Sequence, residues 1–360
     1  MQVSVIRPHE LGPGEIAEWR AMQQAQPRLA SPFLAPEFTI AAGEVLPNAY
    51  VAVIHGEGGR IIGFFPFERH RFGVGKPIAG WVTFAQGIVH APGAEIDPDA
   101  LLKGAGLDVW EFGFLVGGQP FARYASTVAE SVLLDLTGGY DAYLARVKAN
   151  SPRTIKTAMT RMRKLAREVG ELRVELHSPD PADLRLLMRW KSAQYRRIGR
   201  QDRFARRWVA QLVERMHATQ APGCSGTLTM LWAGETPVAG HIGLRTPELL
   251  AGWFPAYDAA YAKYSPGLLQ HLLMAKAAAE HGIRLMDWSV SQGDDYKQRL
   301  RTGGHMVAAG CAWRGSPRAA AHRLLTTPVG RLRRLALETP WAYRLIDRVM
   351  RRYGELRTRA

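Results

Sequence analysis

The strand and helix signals of this chain come in one order, and that order occurs twice; the repetition constrains the fold more than any single motif does. In the first pass Val3–Ile6 reads as a strand, and Glu15–Gln24 and Pro36–Val45 read as helices. Tyr50–His55 and Arg60–Phe67 then form a hairpin around Gly56-Glu57-Gly58-Gly59, followed by a strand near Ile78–Phe84, a helix over Pro98–Lys103 and a strand over Val109–Leu115. In the second pass Arg173–His177 is a strand, and Pro181–Ile198 and Phe204–Gln220 are helices. Thr227–Ala233 and Val238–Leu244 make a hairpin, Leu249–Phe254 is a strand, and Pro266–His281 is a helix. The strand Arg284–Val290, a short helix over Asp294–Leu300 and a closing strand near Met306–Trp313 complete it. Between the passes, Tyr140–Val169 reads as two helices broken at Asn150-Ser151-Pro152, where Ser151 can cap and Pro152 fits the first turn. Such a chain is α/β, with one lobe over residues 1–139 and a second, preceded by its linking helices, over 140–313.

Its 360 residues are enough for two cores, and 47% apolar with 22% charged residues is an ordinary globular composition. A formal net charge of +15 points to an anionic partner: nucleic acid, lipid headgroups or a phosphate-bearing substrate. Only two cysteines occur, Cys224 and Cys311, too far apart for a metal spacing, so neither a disulfide framework nor a zinc site is expected, and a reducing cytoplasm fits. The N-terminus lacks a basic and then apolar signal pattern, and no apolar run reaches bilayer length. Gly73-Val74-Gly75-Lys76 lacks the remainder of a phosphate-binding P-loop. Neither Gly-x-Gly-x-x-Gly after a strand, His-Glu-x-x-His nor Gly-x-Ser-x-Gly is present.

The junction Ala262-Lys263-Tyr264-Ser265-Pro266-Gly267-Leu268-Leu269 remains. Ser265 can cap the helix, Pro266 suits its first turn and Gly267 lets the backbone approach a ligand, so the free N–H groups could hold a phosphate. An ordinary well-capped helix accounts for the same residues equally well.

From here the sequence resembles the GNAT acyltransferases, in a tandem arrangement like that of the Fem-type proteins, and most closely the cellulose-biosynthesis-associated CelD/BcsL type. The likeness is carried by Ser31-Pro32-Phe33-Leu34-Ala35-Pro36-Glu37-Phe38, Gly63-Phe64-Phe65-Pro66-Phe67, the helix from Ser151 to Arg167, Gly234-x-x-Pro237-Val238-Ala239, Tyr257-Asp258, Asp287-Trp288-Ser289 and Tyr296-Lys297. The resemblance implies tandem GNAT-like lobes with mixed sheets flanked by helices. It also implies transfer of an acetyl or other acyl group from acyl-CoA, without a metal, to an amine or hydroxyl of a surface-polysaccharide or envelope precursor. The second lobe is the catalytic one, because the first has no equivalent of the Ser265–Gly267 loop. The family's loop, Gln/Arg-x-x-Gly-x-Gly/Ala, falls on Ala262-x-x-Ser265-x-Gly267, so only its last glycine is kept. That departure leaves two alternatives: a Fem-type transferase that draws an aminoacyl group from tRNA, or a non-catalytic scaffold of a polysaccharide synthase.

On this resemblance Tyr296 protonates the leaving thiolate, and Asp258 and Asp287 act as base or orient the acceptor. Lys263, Tyr264, Ser265, Gly267 and Leu268 hold the donor; Trp253, Tyr257, His241 and Lys297 meet the acceptor. Each also has a structural reading: core aromatics for Trp253, Tyr257 and Tyr296, an ion pair with an arginine for Asp287, a satisfied core histidine for His241, and a solvated Lys297.

From Arg314 onward, twelve arginines face three acidic residues. Trp341, Leu345, Ile346, Val349, Met350 and Tyr353 recur there at helical spacing, with Arg344, Arg348, Arg351 and Arg352 between them. This basic amphipathic tail, 314–360, suits either an anionic membrane surface, where each basic residue contributes about 1 kcal/mol, or a solvated face of a packed helix. Deletion from Arg331 onward is expected to abolish sedimentation with anionic vesicles and to preserve donor binding. Vesicle binding that survives the deletion, or a full-length protein that ignores anionic vesicles at low salt, would exclude the membrane reading.

Overall fold

The computed structural model describes residues 1–291, 296–317, 319 and 320. The basic tail expected beyond Arg314 lies almost entirely outside them. Arg314 itself donates to the Asp108 carboxylate at 2.9 Å.

The first pass runs β1 (Gln2–Ile6), α1 (Pro13–Gln24), α2 (Pro36–Val45), β2 (Ala49–His55), β3 (Ile61–Arg69), β4 (Val74–Lys76), β5 (Val89–His90), α3 (Pro98–Gly104), β6 (Val109–Leu115) and β7 (Ala125–Asp135). The linking helices are α4 (Gly139–Asn150) and α5 (Pro152–Glu168). The second pass runs β8 (Leu172–Glu175), α6 (Pro181–Arg197), α7 (Arg207–Ala218), β9 (Ser225–Ala233), β10 (Thr236–Arg245), β11 (Leu249–Tyr257), α8 (Pro266–Glu280), β12 (Leu285–Val290), α9 (Tyr296–Leu300) and β13 (Gly303–Trp313).

All strands join one sheet in the order β1-β2-β3-β4-β6-β13-β7-β12-β11-β10-β9-β8, with β5 paired to β3. Pairing is antiparallel except for β4 with β6 and β11 with β12, one parallel pair in each pass. The last strand of each pass is exchanged. β7 lies between β12 and β13, both of the second pass, and β13 lies between β6 and β7, both of the first. The pairing of β7 with β13 centres on Val307↔Ala129 and Ala308↔Val128, and relates the passes by an approximate two-fold axis.

Side chains that alternate along the strands feed both faces. Met230 and Ile242 point to a core shared by α1, α2, α6 and α7, in which Trp19, Phe38, Leu212 and Trp253 are buried. Leu231 and Leu250 point to the other face, against α4, α5 and α8, while Ala52 and Ile54 meet α3 there. Because both faces are covered, β9 reads as a nearly unbroken buried run. No helix among the described residues is long and apolar enough to cross a membrane.

Three expectations need correction. The strand expected near Ile78–Phe84 is broken: Ala79 is left-handed (φ 56°), a 3-10 turn covers Gly80–Val82, and Thr83 Oγ1 turns back to the Ile78 carbonyl. Ser151 stands at the N-cap of α5 without a side-chain bond to the helix; its carbonyl accepts from the Thr154 and Ile155 N–H groups instead. The whole of β7 escaped the sequence reading.

The expected boundary between residues 139 and 140 falls where α4 begins, next to the exchanged strand. Fragments 1–139 and 140–360 are therefore expected to fold only when combined, and the intact chain to unfold in one calorimetric transition. A cooperative transition in either fragment alone would contradict the exchanged pairing.

Candidate functional site

The site begins where two strands part. β11 and β12 pair over Leu249↔Leu285, Leu250↔Met286 and Ala251↔Asp287, and no further. On the other edge of β11 the register with β10 shifts between Ile242 and Gly243, opposite Trp253. This bulge frees the Trp253 N–H from the ladder, and it donates to His241 Nε2 at 3.2 Å. Past Asp287, β12 bends through Ser289, a left-handed residue at φ 60°, before Val290 rejoins β7 opposite Ser131.

Rings pack beside the point where the strands diverge. Trp288 lies across β11, and only a glycine at 252 leaves it room, since a Cβ there would overlap the indole. Its ring centre is 5.0 Å from His241 and 4.5 Å from His271, and His271 is 4.9 Å from Tyr296. His241 is fully buried, and burial first, then the nearby His271, Lys297 and Lys191, hold its proton affinity well below that of an ordinary histidine. It is therefore neutral, and because Nε2 accepts from Trp253, Nδ1 carries the hydrogen. His241 Nδ1 and Trp288 Nε1 are buried polar atoms with no acceptor among the described residues.

Next to this ring cluster stands the N-terminus of α8. Asp258 Oδ1 accepts from the Ala260 N–H at 2.9 Å and so caps the turn Ala259–Tyr264. Tyr264 is buried and donates to Glu168 Oε2 at 2.6 Å, while Lys263 Nζ lies 3.5 Å from the same carboxylate, fastening the turn to the end of α5. The Tyr264 hydrogen bond is the main cause of the lowered Glu168 proton affinity. Ser265 then adopts φ 54°, ψ 54°, the left-handed conformation that a glycine supplies without strain. Ser265 thus stands where the motif has a glycine, and its backbone takes a conformation that glycine favours. Ser265 makes no side-chain cap to α8; its Oγ accepts from Arg161 on α5. The Gly267 N–H has no acceptor among the described residues. A Cβ on Gly267 would meet only the Tyr296 hydroxyl, at 3.9 Å, so that hydroxyl overlooks an open helix terminus.

The matching terminus in the first pass differs. At α3, Asp97 accepts from the Asp99 and Ala100 N–H groups and occupies with its own carboxylate the place an anion would take. An open groove of about 620 Å³ lies alongside, lined by Glu95, Asp97 and Arg123 among others.

Of the candidate acids and bases, Asp287 accepts from Ser131 Oγ at 2.6 Å and from the Ser289 N–H at 2.9 Å, and lies 3.7 Å from His305 Nε2. The arginine partner expected for it is absent among the described residues; a histidine and a serine from the exchanged strands take that role. Trp253, expected to stack a sugar, is buried in the shared core with Nε1 donating to the Val82 carbonyl at 2.9 Å, which leaves its ring no face for a ligand. Leu268 is a core residue. Tyr257 is half-buried, with the Arg197 guanidinium 5.9 Å from its ring centre.

Two residues that the sequence reading did not single out belong to the site. His271 Nδ1 donates to the Gly267 carbonyl at 2.7 Å and ties the helix terminus to the ring cluster. Lys191, on α6, donates to the Pro255 carbonyl at 2.8 Å and to Gln194 Oε1 at 3.0 Å. Burial, aided by Lys297, Arg203 and Arg200, lowers its pKa to about 7.

Residues 153–298 match the family model described as Acetyltransferase (GNAT) domain, a span from the first turn of α5 into α9. The fold is similar to the crystal structure of FemX, with a TM-score of 0.58 at 11% identity, covering 86% of this chain and 96% of that one. It is also similar to the C-terminal domain of a putative lysylphosphatidylglycerol synthetase from Agrobacterium fabrum, with a TM-score of 0.50 at 12% identity, covering 87% and 96%. No curated protein matches the sequence significantly.

Ser265→Gly is expected to leave the melting temperature unchanged or higher, since a left-handed serine costs about 1 kcal/mol or more that glycine avoids. A clear loss of stability would mean that the Arg161 contact, and not the backbone shape, is what fixes the loop. The two parting strands, the open helix terminus and the domain match together give this chain a GNAT-type acyltransferase fold.

Proposed function

We propose that this protein transfers an acetyl or other acyl group from acyl-CoA to an amine or hydroxyl of a cell-envelope or surface-polysaccharide precursor, with the chemistry in the second pass. The observation that carries this reading is the α8 terminus, where a left-handed Ser265 and an open Gly267 N–H stand beside the Tyr296 hydroxyl. Its counterpart at α3 is closed to anions by Asp97, which supports a non-catalytic first pass.

A helix N-terminus with a free N–H is a suitable seat for the donor's diphosphate, and Arg161 adds a positive charge. The thioester then enters between β11 and β12, where the donors His241 Nδ1 and Trp288 Nε1 lack acceptors. The acceptor nitrogen or oxygen forms a bond to the thioester carbon, the carbon–sulfur bond breaks, and the thiolate takes the proton of Tyr296. The proton lost by the acceptor passes to Asp287, which His305 and Ser131 hold in place. Asp258 has its carboxylate committed to a cap, so it is assigned to the shape of the loop and not to proton transfer.

A second reading, an aminoacyl-tRNA donor, is favoured by one observation. Arg153, Lys156 and Arg163 are exposed on α5 without a carboxylate within 4.0 Å among the described residues, and α5 reaches Ser265 through Arg161. In that case tRNA would bind with an affinity that falls steeply with salt.

Calorimetry with acetyl-CoA and longer acyl-CoAs tests the main reading: binding is expected, and none at millimolar concentration would refute it. Gly267→Val should keep the fold, as the space around its Cβ allows, and weaken acyl-CoA at least tenfold, about 1.4 kcal/mol. Unaltered affinity in a folded Gly267→Val would place the donor elsewhere.

A further inference from the structure

Three cations stand along and just past the C-terminal half of α6, none of them in an ion pair with a carboxylate among the described residues. Lys191, Arg200 and Arg203 surround the buried Tyr195, and Lys191 Nζ lies over its ring, 5.2 Å from the centre. The acid beside them, Asp202, also acts on Tyr195 but is engaged by other groups: it faces Arg196 at 3.5 Å, accepts from Ser192 Oγ at 3.2 Å and from the Phe204 N–H at 3.0 Å. None of the three cations is in an ion pair among the described residues. Arg203 is fixed from the first pass, its guanidinium 4.7 Å above the ring of the part-exposed Trp81, with Arg206 5.6 Å from the same ring. Burial first, and then the neighbouring cations, lower the proton affinities of Lys191 and Arg203, an arrangement that costs folding energy unless an anion joins it.

Position decides which reactant this charge serves. Lys191 reaches the Pro255 carbonyl, in the part of β11 beyond the point where β12 departs. It does so from α6, whose side chains enter the core on one face of the sheet, whereas α8 and its open terminus pack on the other. A donor whose diphosphate sits at Gly267 therefore has its phosphates on the opposite face from Lys191.

We propose that Lys191, Arg200 and Arg203 form a subsite for a phosphate group carried by the acceptor, so that the substrate class is a phosphorylated amine or alcohol. The inference rests on the reading of the parted strands as an acyl-transfer centre. Two arginines and a lysine suit a dianion: the guanidinium groups bind its oxygens in pairs, and the ammonium adds a point charge at the reacting end.

Inorganic phosphate is the probe. With lysines labelled by reductive ¹³C-dimethylation, and the Lys191 signal identified by its loss in Lys191→Arg, phosphate should raise the Lys191 pKa from about 7 by one unit or more, because an adjacent anion favours the protonated amine. Arg200→Gln/Arg203→Gln should weaken phosphate at least tenfold, whereas Arg60→Gln/Arg71→Gln, which removes the same charge from the exposed first pass, should not. Saturating acetyl-CoA should leave the phosphate response in place. The proposal is overturned if phosphate leaves Lys191 unmoved, or if the Arg200/Arg203 variant binds phosphate as well as the intact protein does. It is also overturned if CoA alone produces the shift and phosphate adds nothing, since the anion would then be the donor's own. A phosphate response without any acyl-CoA binding would uphold the anion subsite and refute the donor reading instead. Should the double variant fail to fold, the Lys191 titration of the intact protein decides alone.

Discussion

The exchange of β7 and β13 is the constraint on which the rest of this structure depends. Each of these strands is the last of its pass, and each hydrogen-bonds mainly to strands of the other: β7 to β12 and β13, β13 to β6 and β7. Neither pass can then complete its own sheet, and the ladder bonds that would hold one lobe together hold two. The exchange also builds the site. Ser131 on β7 and His305 on β13 oppose each other in register, and Asp287 on β12 engages both. Without the first pass, the Asp287 carboxylate would lose its serine partner, and without β13 its histidine. Helix packing adds a second bond between the passes, since Phe33 and Phe38 meet the Trp253 ring at centroid distances of 5.8 and 6.0 Å.

Duplicated order with divergent termini distinguishes the two passes electrostatically. Both present a helix start after a strand and a proline at its first turn, α3 at Pro98 and α8 at Pro266. A single residue before that proline sets the electrostatics. Asp97 brings its own negative charge to the helix N-terminus and satisfies two N–H groups, which excludes a second anion by repulsion and by occupancy. Ser265 brings no charge, turns its hydroxyl to Arg161 and leaves the Gly267 N–H open. The left-handed backbone at 265 is strained for serine, and strain of this kind persists where the surroundings over-determine it. Here Tyr264, Lys263 and Glu168 clamp the preceding turn, and Arg161 holds the serine itself.

Most elements were legible in the sequence because their signals are local. Apolar residues three and four apart marked α6 and α8, and Gly-rich turns marked the hairpins of β2 with β3 and β9 with β10. The sequence reading missed the short strands β4 and β5 and the long β7, and β7 has no such signal over its first half. Ser126, Thr127 and Val128 are exposed, Val128 at 65%, and only from Ser131 onward is the strand packed on both sides. Its partners β12 and β13 lie more than 150 residues further along the chain, a distance that periodicity does not reach. The same applies to the site. Gly267, Ser265 and Tyr296 were visible through the spacing of a motif, whereas Lys191 is one basic residue among several on α6. What distinguishes it is its bond to the carbonyl of Pro255, 64 residues further along the chain.

The charge distribution supplies the last step. A chain at +15 has to place its cations, and most here are solvated at modest energetic effect. Around the parted strands the arrangement is different in kind. At the centre His241 is neutral because it is buried, and Lys191 is held near the point of losing its proton, so neither adds a full positive charge there. Positive charge stands at its two approaches instead: Arg161 with the α8 terminus on one face of the sheet, Arg200 and Arg203 on the other. Two anionic reactants entering from opposite faces would each meet a cationic anchor on the way to the parted strands. An amine that arrived protonated would be disfavoured there by the same cations that would attract its phosphate, so a field that bound such an acceptor would also promote the loss of its proton.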